Sequence, residues 1–459
     1  MRTQCNAEQL EFSCIGRRRV VAAFDGGQVS SDAGALLLAH TDRAIGLIDR
    51  LAGCFVDGRA PELIEHSVRT LVAQRVLGIA AGYEDLNDHD ALRADPLWGS
   101  LIGKLTARRR DCEPLAGKST LNRLERSADR QGRYHKISHD GRAIEGLFVD
   151  LFLQAHARPP RRIVLDLDAT DDPLHGEQEG RFFHGYYDGY CYLPLYIFCG
   201  RHLLVAKLRR ADGDGAVGSV EEVQRIVAQI RQRWPKVQII LRADSGFARE
   251  ALMGWCEQNT VDYLFGLARN ARLQRVIGKQ MQQAKEQAAR TGKPARVFRD
   301  FTYRTRKSWS RTRRVVGKAE HLGGKANPRF VVTSLPKSQW PMQELYEKRY
   351  CARGEMENRI KEAQLQLFAD RTSTHTFKAN QLRLWLSSFA YVLIEALRRL
   401  GLKGTSLSMA SANSIRIKLI KIGALIAISV RRLKLAMSSA HPYQPEFIAA
   451  FHALNAAAR

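Results

Sequence analysis

The order of strand- and helix-forming segments between Arg162 and Leu267 constrains this 459-residue chain more than any other feature. Arg162 to Asp168 alternates Ile163, Leu165 and Leu167 with Val164, Asp166 and Asp168, the period-two pattern of a strand with two unlike faces. Tyr190 to Cys199 and His202 to Leu208 are aromatic or β-branched runs separated by Gly200-Arg201, which predicts a hairpin. A helix is expected from Val220 to Arg233, with Val220, Val223, Ile226, Val227 and Ile230 as its apolar stripe. A strand from Val237 to Ala243, a helix from Ala248 to Gln258 and a strand from Val261 to Leu267 complete the series. Three strands joined by tight turns, then strand–helix alternation, describe a mixed sheet flanked by helices.

This is the element order of the ribonuclease H-like fold. The expected class is therefore α/β, a ribonuclease H-like core with a β-rich insertion and helical N- and C-terminal regions. Residues 1–155 read as a helical DNA-binding or assembly region, with apolar residues at three- and four-residue spacing in Ala33 to Leu51 and Ala60 to Ile79. Within it, Gly117 to Arg126 begins with capping residues and exposes Lys118, Asn122, Arg123 and Arg126. Such a segment suits either a DNA recognition helix or an ordinary basic surface helix. Residues 156–270 form the first part of the core. Residues 271–340 read as a basic β-rich insertion, with a helix from Leu273 to Gly292, strand-like runs after it, and Arg304, Arg306, Lys307, Arg311, Arg313 and Arg314 around Trp309. Residues 341–400 return to the core. Residues 401–459 look helical and basic, with short strands at Arg416 to Lys421.

Lys and Arg number 72 against 47 Asp and Glu, a net charge of +25 that implies a polyanionic partner. A membrane surface fits poorly. The longest apolar runs, Trp385 to Leu397 and Ile422 to Val430, are too short to span a bilayer, and no secretory signal follows Met1. Eight scattered cysteines form no C-x-x-C pair, which argues against a zinc ribbon or disulfide framework and for a reducing, cytoplasmic setting.

A basic chain with carboxylates in selected places suits metal-assisted phosphodiester chemistry. On a helix, Tyr350, Arg353, Glu357 and Lys361 fall within roughly an 80° arc, while Glu355 and Glu362 project elsewhere. A solvated face of ion pairs would look the same, so two further acids matter. Asp168 and Asp244 lie at strand ends, and in the inferred fold the first and fourth strands are neighbours. Three carboxylates converging on one point repel one another unless a cation neutralises them. Hard oxygen donors favour Mg²⁺, with Mn²⁺ able to substitute, and two such ions serve phosphodiester cleavage. Asp166 shares a strand face with Asp168, which leaves the choice of first acid open; Asp168 is preferred as nearer the strand end and part of an Asp-x-Thr pattern. Asp244 before Ser-Gly equally suits a turn or helix cap. His175 and His184 lie in a Gly-rich loop and are kept outside the metal shell.

Asp168-Ala169-Thr170, Ala243-Asp244-Ser245-Gly246-Phe247 and the helix from Tyr350 resemble the three acid motifs of bacterial insertion-sequence DDE transposases. The resemblance is to the insertion-sequence-4 superfamily and, within it, the insertion-sequence-1380 branch, whose third-acid helix carries Y-(2)-R-(3)-E-(6)-K. Tyr350, Arg353 and Glu357 match that signature; Gln364 stands where Lys is expected, and Lys361 lies on the same face three residues earlier. The resemblance covers about Arg161 to Leu400. It implies Asp168, Asp244 and Glu357 as catalytic metal ligands for two Mg²⁺ ions, and Tyr350, Arg353 and Lys361 as phosphate contacts. It also implies cleavage at an element's terminal inverted repeats, transfer of the 3′-hydroxyl ends to target DNA, and a homodimer on paired double-stranded DNA ends. Some relatives stack a flipped base on an aromatic residue of the insertion, for which Trp309 is the candidate here, against an ordinary packing role. A metal-dependent nuclease or resolvase on the same fold, and a non-catalytic DNA-binding derivative, are the competing readings; loss of an acid would favour the last, and all three are present.

Overall fold

A computed structural model describes residues 8–127, 131–132 and 135–458. They separate into two compact units: one from the described residues of Met1–Ser127, Gln131–Ser138 and Phe389–Arg459, the other from His139–Ser388.

The second unit is built on a mixed sheet. Its strands are β1 (Arg162–Ala169), β2 (Leu195–Cys199), β3 (His202–Lys207), β4 (Gln238–Ala243), β5 (Asp262–Leu267), β6 (Ala295–Tyr303), β7 (Arg313–Leu322) and β8 (Arg329–Thr333), in the spatial order β3-β2-β1-β4-β5-β8-β7-β6. The short strand Lys325–Ala326 pairs with β7. The hairpin turns at Gly200, whose φ of 59° is in the left-handed region. β2 runs antiparallel to β1, whereas β4 is parallel to both β1 and β5. The basic β-rich segment extends this same sheet, since β8 pairs antiparallel with β5 and carries β7 and β6 beyond it.

Alternation in β1 sends side chains into two different environments. Ile163, Leu165 and Leu167 join a core with Val149 and Phe152 of α1 (Gly141–Gln154), Val223, Ile226, Val227 and Ile230 of α2 (Ser219–Arg233), and Leu252, Met253 and Cys256 of α3 (Glu250–Gln258). Each fully buried side chain of this kind contributes about 1.5–3 kcal/mol. Glu221 and Glu222 in the first turn of α2, and Arg231 and Arg233 in the last, complement its dipole. The opposite face, with Val164, Ile240, Leu264, Val316 and Val331, packs against Leu335, Trp340, Leu345, Tyr346 and Tyr350. The helical stretch around Tyr350 thus covers the face from which Asp166 and Asp168 project.

Two local expectations change. Tyr190 to Cys199 is not one strand: Gly189–Tyr192 joins a small sheet with Asp172–Pro173 and Phe182–His184, and β2 starts only after Pro194, which lacks an N–H for the ladder. In the first unit, Arg416–Ile420 is a π-helical turn rather than a strand. Its charges alternate with apolar residues, but Ile415, Arg416, Leu419 and Ile420 are the buried ones, which is helical spacing. The strands there are Ala424–Ser429 and Arg432–Met437, which form an antiparallel sheet with Gln28–Ser30. The rest of that unit holds the helices Ala35–Ile45 and Val68–Ala81 among others, together with an antiparallel pair, Leu10–Ile15 and Arg18–Ala22. Among the described residues no helix is long and apolar enough to cross a membrane.

Candidate active site

The parallel register of β1 and β4 builds the site. Arg242 lies beside Asp166 and Ala243 beside Leu167, so the next residue, Asp244, emerges alongside Asp168 at the same sheet edge. Neighbouring strands are about 4.8 Å apart, which brings the two aspartate backbones close. Asp244 also caps the turn Ser245–Phe247, its Oδ1 accepting the Gly246 N–H at 2.9 Å. The turn-forming role and the strand-end position coexist.

The third acid arrives on a distorted helix. Met342–Glu344 is α-helical, Leu345–Tyr350 π-helical, Cys351–Arg353 a 3₁₀ turn, α4 (Gly354–Lys361) regular, and Glu362–Gln366 π-helical again. Single π turns inside helices recur at functional sites. Arg353 and Glu357 lie one turn apart, and the Arg353 guanidinium forks between two acids. Nη2 donates to Glu357 Oε1 at 2.8 Å and Nη1 to Asp168 Oδ2 at 3.3 Å. Arg353 thus reaches an acid 185 positions away in the chain.

Electrostatics carry the same message. Burial lifts the Asp168 carboxyl to about 6; the Arg353 guanidinium opposes that rise, and Asp244 and Glu357 add to it. Asp168 therefore feels both other acids. Burial works against the Arg353 charge, yet Asp168, Tyr350, Glu357 and Asp244 together raise its pKa. Tyr350 is lifted by burial, opposed by Arg353 and reinforced by Asp244. The structure thus brings together Asp168, Asp244, Glu357, Tyr350 and Arg353.

Asp166 has a different fate from Asp168. Its two oxygens accept a fork from Arg242, at 2.8 Å for Nη2 to Oδ2, and Arg242 also donates to the Arg349 carbonyl. Burial raises the Asp166 pKa, with Arg242 opposing. This pair is closed off, with side-chain exposures of 12% for Arg242 and 3% for Asp166.

The other sequence candidates are placed differently. Lys361 is exposed at the end of α4. Gln364, which stands at the expected lysine position, donates from Nε2 to the Asp171 carbonyl at 3.0 Å and ties the loop after β1 to the helix. Glu355 pairs with Arg359, and Glu362 is buried. Trp309 is only 5% exposed, edge-on to Tyr303 with Arg313 over its ring. That is a packing position in the core, whereas stacking a flipped base needs an open ring face. Lys118 and Arg123 are exposed on the helix Lys118–Glu125 of the first unit, where Lys118 pairs with Asp90.

Two contributors escaped the sequence. Arg242 is one; a lone charge in an apolar strand, level with Asp166, was its available signal. Gly266 in β5 is the other: a Cβ there would lie 2.6 Å from the Tyr350 hydroxyl oxygen and 2.8 Å from the Ser245 backbone nitrogen. Only glycine lets Tyr350 approach the Asp244 turn this closely.

Among the described residues no three His, Cys, Asp or Glu side chains stand close enough to hold a metal ion, and the Arg353 guanidinium lies between Asp168 and Glu357. In donor chemistry, three carboxylates, of which Asp168 feels the charge of the other two, match a hard divalent cation.

A piggyBac transposase synaptic complex with hairpin DNA, solved by cryo-EM, is similar at 12% identity and a TM-score of 0.39, over 85% of this chain and 79% of that one. No curated protein matches. The family model described as transposase DDE domain group 1 matches residues 12–459, nearly the whole chain, and its acid-bearing sheet edge therefore belongs to a protein of the DDE transposase family.

Proposed function

We propose that this protein is a DNA transposase that binds the terminal inverted repeats of an insertion sequence, hydrolyses the phosphodiester at the element ends and joins the 3′-hydroxyl ends to target DNA. The observation that carries this is one guanidinium bridging Asp168 and Glu357 beside Asp244, three acids from distant parts of the chain. In this reading the core is ribonuclease H-like, supported by the order β3-β2-β1-β4-β5 with an antiparallel β2. The insertion-sequence-4 and insertion-sequence-1380 assignments rest on the Tyr350, Arg353 and Glu357 spacing. Residues 1–155 and 401–459 would serve end binding and assembly, with Lys118 and Arg123 facing duplex DNA. Paired-end chemistry calls for at least a dimer on DNA, in a bacterial cytoplasm.

Asp168, Asp244 and Glu357 would hold Mg²⁺ ions, which when bound supply charge neutralisation at the scissile phosphate and an activated water or 3′-hydroxyl. Asp166 stays outside that set because Arg242 occupies both of its oxygens. Arg353 and Tyr350 would orient the phosphodiester, the guanidinium offering a planar fork that matches phosphate. Lys361, exposed on the same helix, adds a cation further along the strand. Trp309 is left out of the contacts because of its burial.

Incubating the protein with labelled terminal-repeat DNA and Mg²⁺ tests this reading. Wild type should cut and join; Asp244→Ala and Glu357→Ala should each lose at least about a hundredfold in cleavage while still binding DNA. Cleavage by either variant at the wild-type rate would overturn the assignment. Cutting without joining would favour a nuclease of the same fold.

A further inference from the structure

We propose that Arg353 is an exchangeable counter-ion: it clamps Asp168 to Glu357 until a DNA phosphate draws it away, so that binding the duplex itself frees the carboxylates for a divalent ion. The inference rests on the metal-ligand reading above and adds to it an order of events. A guanidinium and a divalent cation seeking the same oxygens repel each other and compete, because like charges a few ångströms apart are poorly screened in a partly buried site. Arg353 holds Asp168 Oδ2 and Glu357 Oε1, one oxygen from each acid.

The clamp is built to open. Its contact to Asp168 is long, at 3.3 Å, and the Glu357 side chain is 48% exposed; Arg353 and Asp168, at 19% and 15%, are the buried side of the clamp and each needs a new partner when the fork turns away. A phosphate offers Arg353 the same planar, two-oxygen acceptor that it leaves. Two neighbouring arginines are already committed, Arg242 to Asp166 and Arg359 to Glu355.

Mn²⁺ binding to the full chain without DNA, followed by the loss of the free-ion electron paramagnetic resonance signal, tests the exchange. Arg353→Gln should bind Mn²⁺ about tenfold more tightly than wild type, and Arg353→Lys, which cannot fork, should fall between. Asp168→Asn should weaken binding in both the wild-type and Arg353→Gln backgrounds. If Asp168→Asn weakens binding but Arg353→Gln leaves it unchanged or weaker, the exchange is wrong and the ligand assignment stands. If Asp168→Asn changes nothing in either background, the ligand assignment fails and the exchange with it. Thermal unfolding checks that Arg353→Gln remains folded; should it not, the Arg353→Lys comparison with wild type decides in the same way.

Discussion

Two aspartates on one strand face, two residues apart, meet arginines in opposite ways. Asp166 is gripped on both oxygens by Arg242 from the neighbouring strand, and the pair is almost sealed from solvent. Asp168 shares its arginine with a second acid, on a helix edge that solvent reaches. The same residue types thus make a permanent strut in one place and a rearrangeable contact in the other. The difference is position: Arg242 lies within the strand register, under the helix around Tyr350, whereas Arg353 reaches in from the helix itself.

The sharpest way to break this contrast is to remove each arginine. Arg242→Ala leaves a buried carboxylate without its partner and should cost about 3–5 kcal/mol in urea unfolding. Arg353→Ala should cost less, about 1–3 kcal/mol, because its contact to the buried Asp168 is long and Glu357 stays half open to solvent. Equal losses would erase the distinction. Next in size, Gly266→Ala should destabilise by about 1–3 kcal/mol, since the added methyl meets the Tyr350 hydroxyl and the Ser245 backbone, and it should also slow cleavage by displacing Tyr350. An unaltered melting temperature and rate for that variant would mean that the helix yields freely.

Asp168 sharpens the comparison through pH. Its folded-state pKa, near 6, lies above the usual carboxylate value, so the folded state binds the proton more tightly than the unfolded state. The resulting stabilisation is complete below about pH 4 and lost as pH rises through about 6. In metal-free protein, Asp168→Asn should therefore gain on the order of 2 kcal/mol relative to wild type between those limits, read from unfolding midpoints at each pH. A constant difference across the range would place Asp168 in an unstrained setting. Smallest is Gln364→Ala, which removes one hydrogen bond to the Asp171 carbonyl and should cost about 1 kcal/mol in thermal unfolding. If it abolishes cleavage without altering stability, Gln364 does more than tie down the loop after β1.

Much of this was legible in one dimension. The alternation in β1, the stripe of α2 and the turn at Gly200 are local patterns, each set by the burial of one face or by backbone sterics. Where local pattern and burial disagreed, as at Arg416 to Ile420, a tertiary core imposed helical spacing on a sequence that alternates. Trp309 shows the same limit: the sequence left base stacking and ordinary packing both open, and Tyr303 and Arg313 enclose the ring.

The sequence by itself determined which acids could meet, because a strand end is recognisable from periodicity and Tyr350, Arg353 and Glu357 carry a fixed helical spacing. It favoured Asp168 over Asp166, as nearer the strand end, without excluding either. Only the tertiary structure set their different surroundings, through a strand register that spends Asp166 on Arg242 and a helix that brings Arg353 to Asp168. Register and packing are long-range properties, and a carboxylate's environment is fixed by neighbours that lie far away in the chain.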